Sequence, residues 1–244
     1  MYFYDGREFS EEELDNVIRP IKTGEGVRES RIANTLPLIE GPTVLDVGCG
    51  AGFFSYLIAK KHPSWKITGI DLLEDSINIA KEKLCLPNTH YETRNLLKKR
   101  FKPNSFDCIL FLETIEHVDE PGVFLKEFHG LLKPNGCLVL STPNAVSFQN
   151  IVRHFGQSIN RRLAAIKNEP RHTGTHLEHV AAYDVFVLTR LLDRNGFKYE
   201  KHNYARFSVP LSRSKWINLG FMESVAKPLC DDVIIKARKT RPRL

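Results

Sequence analysis

Short runs of branched and aromatic apolar residues recur along the chain, and most are followed by a stretch whose apolar positions fall three and four apart. The runs Thr43–Val47, Lys66–Asp71, Phe106–Leu112 and Cys137–Ser141 read as buried strands, and weaker ones around His90–Thr93, Phe197–Lys201 and Asp232–Ala237 add three more. Between them, Phe53–Lys61, Glu74–Leu84, Pro121–Leu132 and Val185–Arg194 carry helical spacing. Pro121 sits in a first helical turn, Pro134-Asn135-Gly136 breaks the chain before the next strand, and Asn195-Gly196 stops the last helix. Strand and helix in alternation predict an α/β fold: a mostly parallel sheet of seven strands with helices on both faces.

Two segments stand outside the alternation. Residues 1–40 are expected to form a helical cap over a ligand mouth, ahead of a single main domain over 41–244. Ala145–Ala182 is a long, basic, histidine-bearing excursion after a core strand, and ligands of such folds bind beyond the carboxyl ends of the strands. That placement makes it part of a substrate cap. Composition changes little: 42% hydrophobic and 26% charged residues suit a globular chain. The start Met1-Tyr2-Phe3-Tyr4-Asp5-Gly6 lacks the pattern of a signal peptide, and no run approaches a membrane span, so a cytoplasmic protein without a transmembrane segment is expected. Five cysteines without a C-x-x-C pair suggest neither a disulfide framework nor a thiolate zinc site. The net charge of +6 gathers in Lys98, Lys99, Arg100 and Lys102 and in Arg238, Lys239, Arg241 and Arg243. Such runs are either solvated surface or a contact for an anionic partner.

The chemistry concentrates in Val44-Leu45-Asp46-Val47-Gly48-Cys49-Gly50-Ala51-Gly52, where a strand enters a glycine turn before a helix. Glycine allows a sharp turn and the close approach of a ligand. Asp71, at the end of the second strand, can accept the two hydroxyls of a ribose, or merely cap the helix that follows. A dinucleotide fingerprint needs a small residue at position 53, and Phe53 breaks it. The spacing D-x-G-x-G-x-G instead resembles motif I of class I S-adenosylmethionine (SAM) methyltransferases. That resemblance implies a Rossmann-like fold and makes Gly48, Gly50 and Asp71 cofactor contacts.

The strand Phe106–Leu112 runs into Glu113-Thr114-Ile115-Glu116-His117. Three readings stay open: two carboxylates and an imidazole around a hard divalent cation, a metal-free catalytic set with His117 as general base, or a loop whose acids cap the next helix. Together VLDVGCGAG, GIDL, LETIEHVDEP, LLKPNG and STPN resemble the ubiquinone-biosynthesis O-methyltransferase branch and its bacterial relatives. The resemblance implies Arg28, Gly48, Asp71 and Leu112 as SAM contacts, Asn95 as a polar adenine contact, and Glu113, Glu116 and His117 as catalytic residues or ligands of magnesium or zinc. Small-RNA terminal 2′-O-methyltransferases share E-x-x-E-H, T-P-N and a later histidine, and by that likeness His179, with His176 next, would be a fourth metal ligand; the other reading is a histidine that lines the substrate pocket or packs beneath the cap.

The expected reaction is methyl transfer from SAM to a hydroxyl of a small-molecule acceptor, a quinol, phenol or sugar. The alternatives are a metal-dependent methyltransferase for the 3′-terminal ribose of RNA, which makes nucleic acid the other candidate partner, and a SAM-binding module without catalysis. Phe148, Ile151, Val152 and Phe155 would line an apolar cap or simply pack in the core. Arg153, Arg161, Arg162, Lys167 and Arg171 would suit a sugar or an RNA end.

Overall fold

The computed structural model describes residues 30–156, 181–211 and 216–240, with Arg19 besides. Nine strands are described: β1 (Thr43–Val47), β2 (Lys66–Asp71), β3 (Thr89–Thr93), β4 (Phe106–Leu112), β5 (Leu132–Pro143), β6 (Phe197–Ala205), β7 (Ser208–Pro210), β8 (Trp216–Asn218) and β9 (Asp232–Lys239). Six α-helices are described along their length: α1 (Ser30–Thr35), α2 (Phe53–Lys61), α3 (Glu74–Lys83), α4 (Pro121–Leu131), α5 (Phe148–Gly156) and α6 (Val185–Arg194). Seven strands form one sheet in the order β3-β2-β1-β4-β5-β9-β6, in which β9 pairs antiparallel with both neighbours. The chain leaves β1 toward β2 on one side and returns to β4 on the other, so a crevice opens where their carboxyl ends part.

Alternation along the strands divides the core into two layers. Ile109 and Phe111 of β4 face the side covered by α4 and α6, with Leu125, Phe128, Leu188 and Leu192. Cys108, Leu110 and Leu112 face the other side, with Ile58 and Ala59 of α2 and with Leu38 and Ile39. Fully burying a side chain such as Phe111, which packs edge-on to Phe128 at 5.0 Å between ring centroids, contributes about 2–3 kcal/mol. Helix ends follow local chemistry. Glu74 and Asp75 open α3, and Lys81 and Lys83 close it, matching the helix dipole. Asp184 caps α6 by accepting the N–H groups of Phe186 and Val187 at 2.8 and 2.9 Å.

Several expectations shift. Helix α4 ends at Leu131, because Leu132 already pairs with Phe106 as the first residue of β5. Pro134-Asn135-Gly136 therefore lies inside β5, not before it, and the irregularity is absorbed as a register shift between Phe106 and Cys108, with Asn135 left-handed at φ 64°. The short antiparallel pair β7–β8 was not foreseen. Two residues of the basic C-terminal run belong to β9: Arg238 binds Glu40 and Glu200, and Lys239 donates to the Leu132 carbonyl at 2.6 Å. Lys99 and Arg100 likewise pair with Glu92 and Glu127. Phe148 of the expected apolar cap stacks on Phe207 at 5.6 Å between centroids, which ties α5 to the segment before β7. Among the described residues no helix is long and apolar enough to cross a membrane.

Candidate active site

The glycine turn after β1 is left-handed at all three glycines, with φ of 74° at Gly48, 51° at Gly50 and 83° at Gly52. L-residues with side chains adopt that region at a cost. The three positions nevertheless do different work. A Cβ on Gly48 would lie 2.5 Å from Thr114 Oγ1, and one on Gly52 would lie 2.7 Å from the Tyr91 ring. One on Gly50 would meet nothing within 4 Å. Gly48 and Gly52 thus let protein pack on the turn, whereas Gly50 presents bare backbone to open space, where a ligand can lie against it.

Asp71 secures that opening. One carboxylate oxygen accepts the Gly50 N–H at 2.8 Å and the other accepts the Leu73 N–H at 2.9 Å, so the side chain binds the turn and the entry to α3 together. A carboxylate offers about four acceptor sites, and those left over fit ribose hydroxyls. The capping and ribose readings of Asp71 are therefore compatible. Asn95 uses its side-chain oxygen on the Leu97 and Lys98 N–H groups at 3.1 and 3.2 Å, which leaves its amide nitrogen for a ligand. Leu112, at the end of β4, gives its carbonyl to Thr114 Oγ1 at 2.8 Å. Beneath the turn Asp46 is buried and accepts from Ser55 Oγ at 2.8 Å. Burial, reinforced by the charge of Asp71, pushes its carboxyl up to about 7.

Across the crevice, Glu113 leaves β4 with φ of 49°, a strained conformation for a side-chain-bearing residue and one that clusters at functional sites. Its N–H donates to the Ser141 carbonyl at 2.9 Å, and Ser141 Oγ donates to its Oε1 at 2.7 Å. Its Oε2 faces Arg31 of α1 at 3.3 Å. Glu116 is only 1% exposed; its Oε2 accepts from Thr142 Oγ1 at 3.0 Å, while its Oε1 is buried with no hydrogen-bond partner among the described residues. Burial and then the neighbouring Glu113 charge push the Glu116 carboxyl up to about 8. His117 is half-buried in the same turn, its N–H donating to the Thr114 carbonyl at 3.1 Å. Asp232 at the start of β9 is fully buried and paired with Arg206 through two contacts of 2.5 Å. Arg31, Arg206, Asp232 and Tyr183 complete this side of the crevice, and no local motif announces any of them.

The described donors do not fit a magnesium or zinc site. Among them no group of three His, Cys, Asp or Glu side chains is arranged to hold a metal ion. The reason is visible at Glu113, where the Arg31 guanidinium supplies the positive charge that a cation would bring. The expected fourth ligand, His179, lies outside the described residues, as do His176 and Arg28.

The sheet order, with a glycine turn at the carboxyl end of β1 and an acid at that of β2, defines a class I SAM-dependent methyltransferase fold. The profile of the methyltransferase-domain family matches residues 25–202, and the chain belongs to that family. A SAM-dependent methyltransferase from Thermotoga maritima superposes with a TM-score of 0.61 at 18% identity over 93% of this chain and 96% of that one. One from Aquifex aeolicus gives 0.58 at 21% identity over 96% and 100%. Among curated relatives, the ubiquinone biosynthesis O-methyltransferase of Xylella fastidiosa is 30% identical over 203 residues, 74% of this chain and 80% of its own. That of Rhodopseudomonas palustris is 36% identical over 117 residues, 47% of this chain and 45% of its own, so this match spans about half of either protein.

Proposed function

We propose that the protein transfers the methyl group of SAM to a hydroxyl of a small molecule of the phenol, quinol or sugar class. The observation that carries the reading is a pair of facing walls: the open backbone of Gly50 held by Asp71, and the turn after β4 that presents Glu113 and Glu116. Bound SAM supplies a methyl already activated on a sulfonium. The protein has then to align an acceptor oxygen and take its proton, and alignment by itself is worth about 7–11 kcal/mol. Gly50, Asp71 and Asn95 are assigned to the cofactor, with Gly48 and Leu112 shaping its walls; Glu116 is the base, with Glu113 and His117 beside it in the same turn. Burial, and after it the charge of Glu113 fixed by Ser141 and Arg31, keep the Glu116 proton affinity high enough for proton removal. The O-methyltransferase relatives support oxygen as the acceptor atom.

Calorimetric titration with SAM, followed by methyl transfer to quinols, sugars and short RNAs with and without a chelator, tests the reading. Transfer to a small hydroxyl compound that survives chelation is the expected result. Transfer confined to RNA ends, or abolished by chelation, would replace it with the metal-dependent alternative, and failure to bind SAM would remove its basis.

A further inference from the structure

Asp231 belongs to no motif and stands one residue ahead of β9, yet two ladders of the sheet reach it. The Asn144 N–H donates to its carbonyl at 2.7 Å, and its own N–H donates to the Arg206 carbonyl at 2.7 Å. These bonds continue by one residue the register in which Pro143 and Ala205 flank Asp232. Side chains along a strand alternate between faces, and residues paired across an antiparallel ladder share a face. Thr142 pairs with Val233, so Asp231, two residues before Val233, returns to the face that Thr142 occupies. Thr142 is also the residue whose Oγ1 donates to Glu116 Oε2 at 3.0 Å. Strand geometry sets the Cα atoms of Thr142 and Asp231 about 9 Å apart. The ladder and the Thr142 bond therefore bring Asp231 and Glu116 to one face at the carboxyl end of β5.

The two carboxylates share a second property. Asp231 is 7% exposed and Glu116 1%, and each has one oxygen engaged and one left over. Ser208 Oγ donates to Asp231 Oδ2, while Asp231 Oδ1, like Glu116 Oε1, is buried without a hydrogen-bond partner among the described residues. A buried acceptor left unsatisfied is destabilising, and a donor on a ligand relieves it. Two such oxygens several ångströms apart call for two donors at a like separation, which a single hydroxyl cannot supply. We propose that Asp231 is a second acceptor-binding residue: the hydroxyl to be methylated donates to Glu116 Oε1, and another O–H group on the far side of the same molecule donates to Asp231 Oδ1. This inference rests on the oxygen methylation proposed above, and it narrows the substrate class to diols and polyols, a hydroquinone or a sugar, ahead of simple phenols. Asp231 orients the molecule and so selects which hydroxyl faces the methyl group.

The affinities of hydroquinone and phenol for the S-adenosylhomocysteine complex, measured by calorimetry on the wild type, Asp231→Ala and Ser208→Ala, test this. The wild type should prefer hydroquinone roughly tenfold to a hundredfold, the worth of one hydrogen bond to a carboxylate. Asp231→Ala should abolish the preference, and Asp231→Asn, of the same shape, should lower it even if the alanine variant does not fold. Ser208→Ala breaks the same internal bond but keeps the carboxylate, so it should retain the preference. A ratio of two affinities taken on one variant is unmoved by a uniform loss of folded protein. Equal affinity of the wild type for the two probes, or binding of neither, would overturn the proposal. So would a preference that survives in both Asp231 variants, or one that vanishes equally in Ser208→Ala. Failure of the wild type to bind S-adenosylhomocysteine would already show, before any acceptor is added, that the methyltransferase reading itself had failed.

Discussion

The two walls of the crevice are built on opposite principles. Around β1 and β2 the polar groups are satisfied within the protein: Asp71 binds two backbone N–H groups and Asp46 binds Ser55. What that wall offers a ligand is a fixed seat: the uncovered backbone of Gly50 and the remaining acceptor sites of an Asp71 carboxylate already held in place. Around β4, β5 and β9, carboxylates crowd together with two arginines, Glu113 is strained, and Glu116 retains an unpartnered oxygen. That wall offers unfinished chemistry. A cofactor common to many reactions needs a preformed seat, whereas proton removal needs a group held away from its preferred state.

The largest expected effect lies on the reactive wall. Glu116→Gln should lower kcat about a hundredfold or more, measured as initial rates of methyl transfer with SAM saturating. The same group sets a pH dependence whose sign can be stated. Its carboxyl titrates near 8, well above the usual carboxylate range, so the folded state holds a proton that the unfolded state has already released. Stability from this group is complete below the ordinary carboxylate pKa of 4.5 and is lost as pH rises toward about 8, above which it levels off, while a base that must be ionised gains activity around pH 8. The contribution of this group to wild-type Tm should therefore decline from pH 4.5 to about 8, the rate should climb as pH passes about 8, and Glu116→Gln should flatten both curves. A decline equal to that of the wild type would mean that Glu116 is ionised throughout.

On the preformed wall, Gly50→Val should weaken SAM binding roughly a hundredfold by calorimetry, about 2.7 kcal/mol. Gly52→Ala, which drives a Cβ against Tyr91, should act on Tm instead, because Gly52 faces protein. If both variants changed SAM affinity equally, the division of labour in the turn would be disproved. An effect of similar size, on stability instead of binding, is expected beneath the acceptor side: Arg206→Ala leaves Asp232 buried without its guanidinium and should cost about 3 kcal/mol in denaturant unfolding. The smallest belongs to the basic run, where Lys99→Ala breaks an exposed pair with Glu92 and should change stability by about 0–1 kcal/mol.

Much of this was legible locally, and the exceptions share a cause. The bounds of β1, β2, β4, α2 and α6 follow from apolar periodicity and capping, which neighbouring residues determine. Asp71 and the glycine turn were readable because strand, turn and helix are consecutive. The end of α4 was misplaced, since Leu132 suits a helix equally well and only its pairing with Phe106 makes it a strand. Gly48 and Gly50 were read alike as cofactor contacts, because Thr114, which packs against Gly48 and not against Gly50, follows the end of another strand.

By itself, then, the amino-acid order determined the α/β alternation, the glycine turn, the acid after β2 and the position of Glu113, Glu116 and His117 at the end of β4, since each depends on spacing within one segment. Tertiary structure alone decided that β9 enters antiparallel between β5 and β6, which brings the Arg206–Asp232 pair to the side of the sheet where Glu113 lies, and that Arg31 pairs with Glu113, one of the residues read as a possible metal ligand. An apolar strand has the same pattern whichever way it runs, and contacts between distant segments depend on a register that no local spacing encodes.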